Sequence, residues 1–288
     1  MIGISIMTSE NPFFVELAKA AEEEAVKHGF AVVLVSGDKK AENQARQVQD
    51  FIAQKVQAIL LTPCNAQLVA EPIKEANKAG IPVFTADTGC LDKSAKVVSH
   101  VATDNYAGGK QAGDAMIEAL GGKGGKILVL SFDVAQSCLA RVKGFREVIS
   151  AHNEANKDAQ IEIVAELPGE ASREPSSRAT ADTLEKNGDL VGVFAINDPS
   201  ALGAVASIEA AGKQNQIKVI GFDGQRIGKQ AIKEGKIYAD PIQFPKKMGR
   251  MIVQQMVKFF AGEVPAPVIP IPTSLYRRAD AEKDPDLK

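Results

Sequence analysis

Tryptophan is absent from this chain, and cysteine and histidine occur only three times each. The cysteines are Cys64, Cys90 and Cys138. They are too few for a disulfide framework, and neither a CxxC pair nor a Cys/His pair is present to bind zinc. We therefore expect three free thiols and no metal, with one disulfide and one remaining thiol as the alternative. The histidines are scattered, and none is interpreted as a ligand or a catalytic base.

The chain also lacks a strong net charge and a long apolar run. Its formal net charge is −2, which gives no electrostatic reason to expect nucleic acid or an anionic membrane as a partner. No apolar run approaches the roughly 18 residues that a membrane-spanning helix requires. Because no basic segment precedes the first strand-like run, we expect either a cytoplasmic protein or one whose leader has been removed. A length of 288 residues predicts one large domain or two of medium size.

The stretch Asn11–Phe14 follows the first apolar run, Ile2–Met7, which is short and β-branched as in a strand. Asn11 is a favoured N-cap, and Pro12 suits the first turn of a helix, which we expect to extend through His28. Phe13 and Phe14 then lie at the start of that helix. Taken alone, this pattern fits two core aromatic residues or two aromatic residues that face a ligand.

Buried strands and helices alternate along most of the chain, which predicts parallel sheets covered by helices on both faces. Beyond the first strand, the predicted strands are Ala31–Val35, Ala58–Leu61, Ile81–Ala86, Val97–Ala102, Ile127–Leu130, Ile161–Ala165, Val191–Ile196 and Ile217–Gly221. Two successive runs of about five such units indicate two similar lobes. A further strand is predicted at Ile237–Ile242 and a helix at Lys246–Ala261, and the charged end from Arg277 is interpreted as a surface tail.

Nucleotide-binding and hydrolase motifs are missing. The glycines of Gly121–Gly125 precede a strand, whereas a phosphate loop follows a strand and opens a helix. Gly108, Gly109 and Gly113 lack the dinucleotide-binding spacing, and no G-x-S-x-G elbow is present. We interpret these glycines as turns and helix stops, and we expect no cofactor and no enzymatic activity.

Polar side chains accumulate after the predicted strands, where an open α/β sheet binds its ligands. They are Asn11, Asp87, Arg141, Asn197, Asp223 and Gln243. Each one alone is also consistent with a helix cap or a turn. Together, carboxylates that accept from hydroxyl groups, amides that both donate and accept, and a forked guanidinium match vicinal diols, while phenyl rings match the C–H faces of a sugar ring.

A set of short motifs in this order resembles the sugar-binding proteins of the ribose-binding type, the periplasmic receptors of ABC importers. The motifs are Asn11–Phe14, Ile81–Asp87, Val97–Asn105, Arg141–Phe145, Phe194–Asp198, Val219–Gly224 and Gln243. The resemblance covers nearly the whole chain. It implies an α/β fold of two Rossmann-like parallel-sheet lobes joined by a three-strand hinge, the periplasmic binding protein type I or Venus-flytrap architecture.

The same resemblance implies the lobe boundaries. Crossovers are expected near Thr103-Asp104, Gln243-Phe244 and Pro272-Thr273. The N-terminal lobe would then comprise residues 1–103 and 244–272, and the C-terminal lobe would comprise residues 104–243 and 273–288. The third crossover would bring a C-terminal strand back to the second lobe.

Carried over residue by residue, the resemblance implies a ligand-binding set. Its members are Asn11, Phe13, Phe14, Asp87, Thr88, Arg141, Asn197, Asp223 and Gln243, with Thr62, Thr103 and Cys138 as additional candidates. Two departures argue against ribose. Ribose receptors have Arg where this chain has Thr88, and they have a Phe in the loop that is Pro168–Arg173 here, which contains no aromatic residue. The alignment also makes a Cys64–Cys90 disulfide conceivable.

The expected function is that of a solute-binding receptor that closes around a neutral monosaccharide or polyol and delivers it to the membrane permease of an ABC importer. The resemblance implies a periplasmic or extracytoplasmic location with the leader removed, a monomer, and no nucleic-acid partner. One alternative is the effector-sensing domain of a lactose-repressor-type transcription factor, which shares the fold. A second is an enzyme on a doubly wound sheet, for which the motifs are missing.

Overall fold

The computed structural model describes residues 1–287, so Lys288, the last residue of the expected second lobe, lies outside the described residues. The strands are β1 (Ile2–Ile6), β2 (Val32–Ser36), β3 (Ala58–Leu61), β4 (Val83–Ala86), β5 (Ser99–Thr103), β6 (Gly125–Ser131), β7 (Ile161–Pro168), β8 (Leu190–Ala195), β9 (Lys218–Ile220), β10 (Ala239–Ile242), β11 (Val268–Ile271) and β12 (Ser274–Arg277).

The helices alternate with these strands, as the sequence predicts. They are α1 (Pro12–Lys27), α2 (Ala41–Ala53), α3 (Ala70–Lys78), α4 (Asn105–Leu120), α5 (Gln136–Ala155), α6 (Arg173–Lys186), α7 (Asp198–Ala210), α8 (Arg226–Lys233), α9 (Pro245–Phe260) and α10 (Arg278–Ala281), followed by a short 3₁₀ helix, Pro285–Leu287. Several boundaries lie one to three residues from those expected. For example, the strand predicted at Val97–Ala102 is β5, Ser99–Thr103. The helix that follows, α4, begins at Asn105 because Asp104 caps it, with Oδ1 accepting from the Ala107 N–H at 3.0 Å.

The strands form two six-stranded sheets, and the predicted two-lobed α/β fold class is confirmed. The first sheet has the order β11-β5-β4-β3-β1-β2, and the second has the order β12-β10-β9-β8-β6-β7. All strand pairs are parallel except β10 with β12, which is antiparallel. The backbone divides into two compact units: residues 1–103, 134–137 and 244–271 in the first, and residues 104–133, 138–243 and the segment from Pro272 onward in the second.

Three glycines that the sequence suggested as turns or helix stops lie inside α4 instead, so that interpretation was wrong. A Cβ atom on Gly109 would lie 2.1 Å from the Arg141 carbonyl oxygen, and one on Gly113 would lie 2.8 Å from the Val148 side chain. A Cβ atom on Gly108 would likewise lie 2.7 Å from the Phe222 ring. These glycines therefore let α4 pack closely against α5 and Phe222, which places Arg141 beside α4. Gly121, with φ of 60°, does end α4 as expected.

The expected surface tail from Arg277 was also wrong, because the segment folds against the second unit. Ala281 and Leu287 are buried in the core formed with β8, β9, α7 and α8. Asp284 accepts hydrogen bonds from Lys229 Nζ at 2.9 Å and from the Tyr276 hydroxyl at 2.8 Å. The segment is rich in charge, but its charges have partners on α8 and β12, which sequence periodicity alone does not reveal.

The three cysteines are free thiols, so Cys64 and Cys90 are not bonded to each other. Cys64 and Cys138 are buried, and burial raises the pKa of the Cys64 thiol to about 12. A thiol with such a pKa stays protonated at neutral pH and is therefore a poor nucleophile.

Close packing of α4 and α5 predicts that Gly109→Ala destabilises the protein. Because the added methyl group would collide with backbone rather than with a flexible side chain, we expect the free energy of unfolding to fall by about 1–3 kcal/mol. Gly188→Ala is the matched control, since nothing lies within 4 Å of a Cβ there. Urea denaturation measures both variants, and equal stability of the two would contradict the packing argument.

His100 on β5 predicts an acid-dependent loss of stability. Burial lowers the pKa of His100 to about 4, and its Nδ1 lies 2.8 Å from the Thr85 hydroxyl. The His100 side chain therefore binds a proton near pH 6.5 in the unfolded chain but only near pH 4 in the folded protein. The free energy of unfolding consequently falls as the pH drops from about 6.5 toward 4, by up to about 3 kcal/mol. In His100→Asn, melting temperatures across this range should fall less steeply than in the wild type. Parallel pH profiles would show that His100 is not responsible.

Candidate functional site

Each sheet contains one point where the strand order reverses. In the first sheet β1 lies between β2 and β3, and in the second sheet β6 lies between β7 and β8. In open α/β sheets ligands bind outside the carboxyl ends of the strands at such a point. Asn11 follows β1 and Asn197 follows β8, so both lie at a switch point, and Arg141 lies on the helix that follows β6.

Asn11, Phe13 and Phe14 lie at the switch point of the first unit. Asn11 is the N-cap of α1, and its Oδ1 accepts from the Phe13 N–H at 3.0 Å. The rings of Phe13 and Phe14 are perpendicular, with centroids 5.1 Å apart, and the residues are 4% and 6% exposed. Most of each ring is therefore buried, and only a small part remains for a ligand. Their contact with a ligand stays a prediction.

Asp87 and Thr88 follow β4 in the same unit. Asp87 has a φ of 63°, a left-handed conformation that is uncommon outside glycine, and its N–H donates to the Val101 carbonyl at 3.0 Å. The Thr88 hydroxyl donates to Asp87 Oδ2 at 3.1 Å and lies 3.1 Å from the Ser137 hydroxyl. Thr88 thus fixes the orientation of the Asp87 carboxylate. Strained backbone at such a position is typical of functional sites.

Thr62 and Thr103, the additional candidates of the first unit, lie at the ends of strands. Thr62 is fully buried, and its Oγ1 accepts from the Met7 N–H at 2.6 Å while its carbonyl accepts from Gln44 Nε2 at 3.1 Å. Thr62 therefore joins the end of β3 to the loop after β1. Thr103 is the last residue of β5, is 5% exposed, and pairs with Ile271 of β11.

Arg141 is the candidate residue that makes contacts to several others in the second unit. It is 3% exposed, and its Nη1 donates to the Ile196 carbonyl at 2.6 Å and to Asp223 Oδ1 at 3.3 Å. Its Nε donates to Asn105 Oδ1 at 2.8 Å. The guanidinium also lies over the Phe222 ring, 3.9 Å from the centroid. Four neighbours thus hold this cation in one orientation.

Asp223 is the anionic partner of Arg141 and is 5% exposed. Its carboxylate also accepts from Gln243 Nε2 at 2.5 Å and from Gln225 Nε2 at 3.1 Å. Burial raises the pKa of Asp223 above its usual value, and Arg141, Gln243 and Gln225 oppose that rise. The backbone of Asp223 has a φ of 106°, so this candidate residue after β9 is strained, as Asp87 is after β4.

Asn197 and Cys138 complete the predicted set in the second unit. Asn197 is the N-cap of α7, with Oδ1 accepting from the Ser200 N–H at 2.9 Å and Nδ2 donating to the Ala171 carbonyl at 3.2 Å. Its cap role, left open by the sequence, is therefore real, and it also fixes the loop after β7. Cys138 lies on α5 three residues before Arg141 and is 7% exposed.

The contacts join Arg141, Asp223 and Gln243 into one network, and they join Thr88 to Asp87. Several residues of these networks were not predicted as site residues: Asn105, Phe222, Gln225 and Ser137. Asn105 and Phe222 lie inside the motifs Val97–Asn105 and Val219–Gly224, which carried the resemblance, but neither residue was itself predicted to bind a ligand. Gln225 is the N-cap of α8 and Ser137 lies in the first turn of α5, and no motif marks either position.

No group of three or more His, Cys, Asp or Glu side chains within residues 1–287 is arranged to hold a metal ion. Over the same residues, none of the helices combines the length and the apolar character needed to span a bilayer.

The buried ion pair predicts a strong coupling between Arg141 and Asp223. Arg141→Met removes the counter-charge of a buried carboxylate, so we expect it to lower the free energy of unfolding by about 3 kcal/mol. Adding Asp223→Asn removes the uncompensated charge, so the double variant should lose less stability than the sum of the two single variants. Urea denaturation of all four proteins measures the coupling, and additive losses would contradict it.

Comparison with known proteins is consistent with this geometry. The periplasmic binding protein domain family matches residues 2–263. The chain is 34% identical to the ribose import binding protein of Salmonella typhimurium over 91% of this chain and 85% of the relative, and 33% identical to that of Bacillus subtilis over 95% and 86%. It also superimposes on an ABC transporter solute-binding protein from Agrobacterium vitis with bound D-fucose, with a TM-score of 0.88, 29% identity and coverage of 99% and 98%. The chain belongs to the periplasmic binding protein family.

Proposed function

We propose that this protein is the sugar receptor of an ABC importer and that it binds a neutral monosaccharide or polyol. The observation that carries the proposal is the buried network of Arg141, Asp223 and Gln243 at the carboxyl ends of parallel strands. A guanidinium, a carboxylate and an amide, each held by protein contacts, supply donors and acceptors in fixed directions, as vicinal hydroxyl groups require. The family match and the sugar-binding relatives support the same function.

The proposed mechanism is a shift between an open and a closed state. A sugar that contacts both lobes binds the closed state more tightly and raises its population. In a closed site, each hydroxyl or site group left unpaired costs about 1–3 kcal/mol, and this penalty would provide the specificity. The permease would then recognise the closed protein.

We infer that ribose is not the preferred ligand, although the relatives named above include ribose import binding proteins. Thr88 offers a neutral hydroxyl, already bonded to Asp87, where ribose receptors have Arg. The loop Gly169–Arg173 contains no aromatic side chain, and Glu170 and Ala171 both have positive φ. The second lobe therefore lacks the usual ring face for the sugar, which favours a ligand with fewer exposed C–H groups on that side.

The proposed partners follow from the family. They are a small neutral sugar or polyol and the permease of an ABC importer, with a periplasmic or extracytoplasmic location. We propose a monomer that needs no cofactor, catalyses no reaction and binds no nucleic acid. No observation favours a transcription-factor domain or an enzyme on this fold.

A thermal-shift screen across pentoses, hexoses and polyols tests the function, because a ligand that binds only the folded state must raise the melting temperature. At least one neutral sugar or polyol should give a shift that increases with concentration, and ribose should give a smaller one. A screen in which no sugar or polyol shifts the melting temperature would contradict the proposal.

Calorimetry with the best ligand of that screen tests the site. Asp87→Ala and Arg141→Ala should each raise the dissociation constant by about 10- to 100-fold, since each removes a charged hydrogen-bonding group. Asp50→Ala on the exposed face of α2 is the control and should bind like the wild type. Affinities of both site variants equal to that of the control would show that the ligand binds elsewhere.

A further inference from the structure

Two carboxyl groups, Asp198 and Asp240, are buried next to the network of the second unit. Both are 0% exposed. Asp198 is the first residue of α7, directly after Asn197, and Asp240 lies on β10, three residues before Gln243. Neither was predicted as a site residue, and the proposed sugar contacts do not require them.

Asp198 is connected to Asp223 through Gln225. The Gln225 N–H donates to Asp198 Oδ2 at 2.6 Å, and the Gln225 side-chain Nε2 donates to Asp223 Oδ2 at 3.1 Å. Gln225 is thus bonded to Asp198 through its backbone N–H and to Asp223 through its side chain. The position of Asp198 therefore influences the carboxylate that pairs with Arg141.

Asp198 and Asp240 act on each other as hydrogen-bonding partners, and this interaction affects the pKa of both groups. Within residues 1–287, Asp198 Oδ1 and both oxygens of Asp240 receive no hydrogen bond from any other side chain. Two deprotonated carboxylates have no hydrogen to share, whereas a protonated one donates to its neighbour. A single proton between the two groups would provide the missing hydrogen bond.

The surrounding backbone leaves little space for water or a counter-ion. A Cβ atom on Gly228 would lie 2.0 Å from Asp198 Oδ1, and one on Gly221 would lie 2.4 Å from Asp240 Oδ1. The backbone of α8 and of the segment after β9 therefore packs directly against the two carboxyl groups.

The charges around the pair do not neutralise it. The Asp223 carboxylate adds a further negative charge that raises the pKa of both groups, and Arg141 is already bonded to Asp223. Three cations of α8 contact the C-terminal segment instead: Arg226 donates to the Asp286 carbonyl, Lys229 to Asp284, and Lys233 to the Leu287 carbonyl. On β12, the residue opposite Asp240 is Tyr276, whose hydroxyl donates to Asp284.

Burying two adjacent carboxylates without a cation is strongly unfavourable, and retaining a proton avoids that cost. Burial and the neighbouring carboxylates raise the pKa of Asp198 well above its ordinary value, and burial raises the pKa of Asp240 to about 6. Because the folded protein then holds a proton that the unfolded chain has released, its stability falls as the pH rises above the ordinary Asp range.

We propose that Asp198 and Asp240 share one proton and that this acid pair positions Asp223 for sugar binding through Gln225. The proposal rests on the proposed function. Loss of the shared proton places two like charges side by side, which displaces Gln225 and weakens its support of Asp223. Sugar affinity should therefore fall as the pH is raised, although neither residue of the pair contacts the sugar.

The test is calorimetry with the best ligand of the screen between about pH 6 and about pH 9, where an unperturbed Asp does not titrate. The wild-type dissociation constant should rise by about tenfold across this range, in proportion to the loss of one supporting hydrogen bond to a charged group. Asp198→Asn should remove this dependence, because its amide oxygen still accepts from Gln225 and its NH₂ group replaces the shared proton. Asp182→Asn, at an exposed position on α6, should retain the wild-type slope.

A wild-type affinity that does not change with pH, or an equal slope in Asp198→Asn, would overturn the proposal. Infrared spectroscopy tests the proton without any sugar: the wild type should show the C=O stretch of a protonated carboxylic acid at neutral pH, and Asp198→Asn should lack it. A wild type without that band would overturn the inference even if sugar binds. Failure of every sugar to bind would refute the proposed function but not the shared proton. If Asp198→Asn does not fold, the wild-type band alone would still show whether the pair is protonated.

Discussion

The buried pairing of Arg141 with Asp223 is the interaction on which the proposed sugar site in the second unit depends. A guanidinium that is only 3% exposed needs a counter-charge and filled hydrogen bonds, and Asp223, Asn105 and the Ile196 carbonyl supply them. Each partner comes from a different part of the chain, so the full set of contacts to Arg141 forms only when α4, α5, the residue after β8 and the loop after β9 are in place. The glycines of α4 contribute to these contacts, because they allow α4 and α5 to approach closely enough for Asn105 to reach Arg141.

Much of this architecture was predictable because it rests on local rules. Apolar runs of strand length alternating with helices identified the parallel sheets, and Asn11 and Pro12 marked the start of α1 through capping and fixed φ. The polar residues after the strands were recognisable because parallel strands place their carboxyl ends at one edge. Two successive runs of such units indicated two lobes, and the motif resemblance added the family, which the two sheets and the family match bear out.

What the sequence did not reveal involves contacts between distant residues. Gly109 was interpreted as a turn because its neighbour, the Arg141 backbone, is remote in sequence. The segment after Arg277 was interpreted as a tail because its charges are matched by Lys229 on α8 and Tyr276 on β12 rather than by a periodic apolar face. Asp198 was noted only as the end of the motif Phe194–Asp198, and nothing in its surroundings along the chain indicated that it interacts with Asp240.

A structure of the protein with the best ligand of the sugar screen would show directly whether Arg141 and Asp223 bind the sugar. We expect a neutral sugar or polyol whose hydroxyl groups lie within hydrogen-bonding distance of the Arg141 guanidinium and the Asp223 carboxylate, with Asp87 bonded to the same molecule. A ligand bound away from Arg141 and Asp223, with their ion pair unchanged and without contact to the sugar, would contradict it.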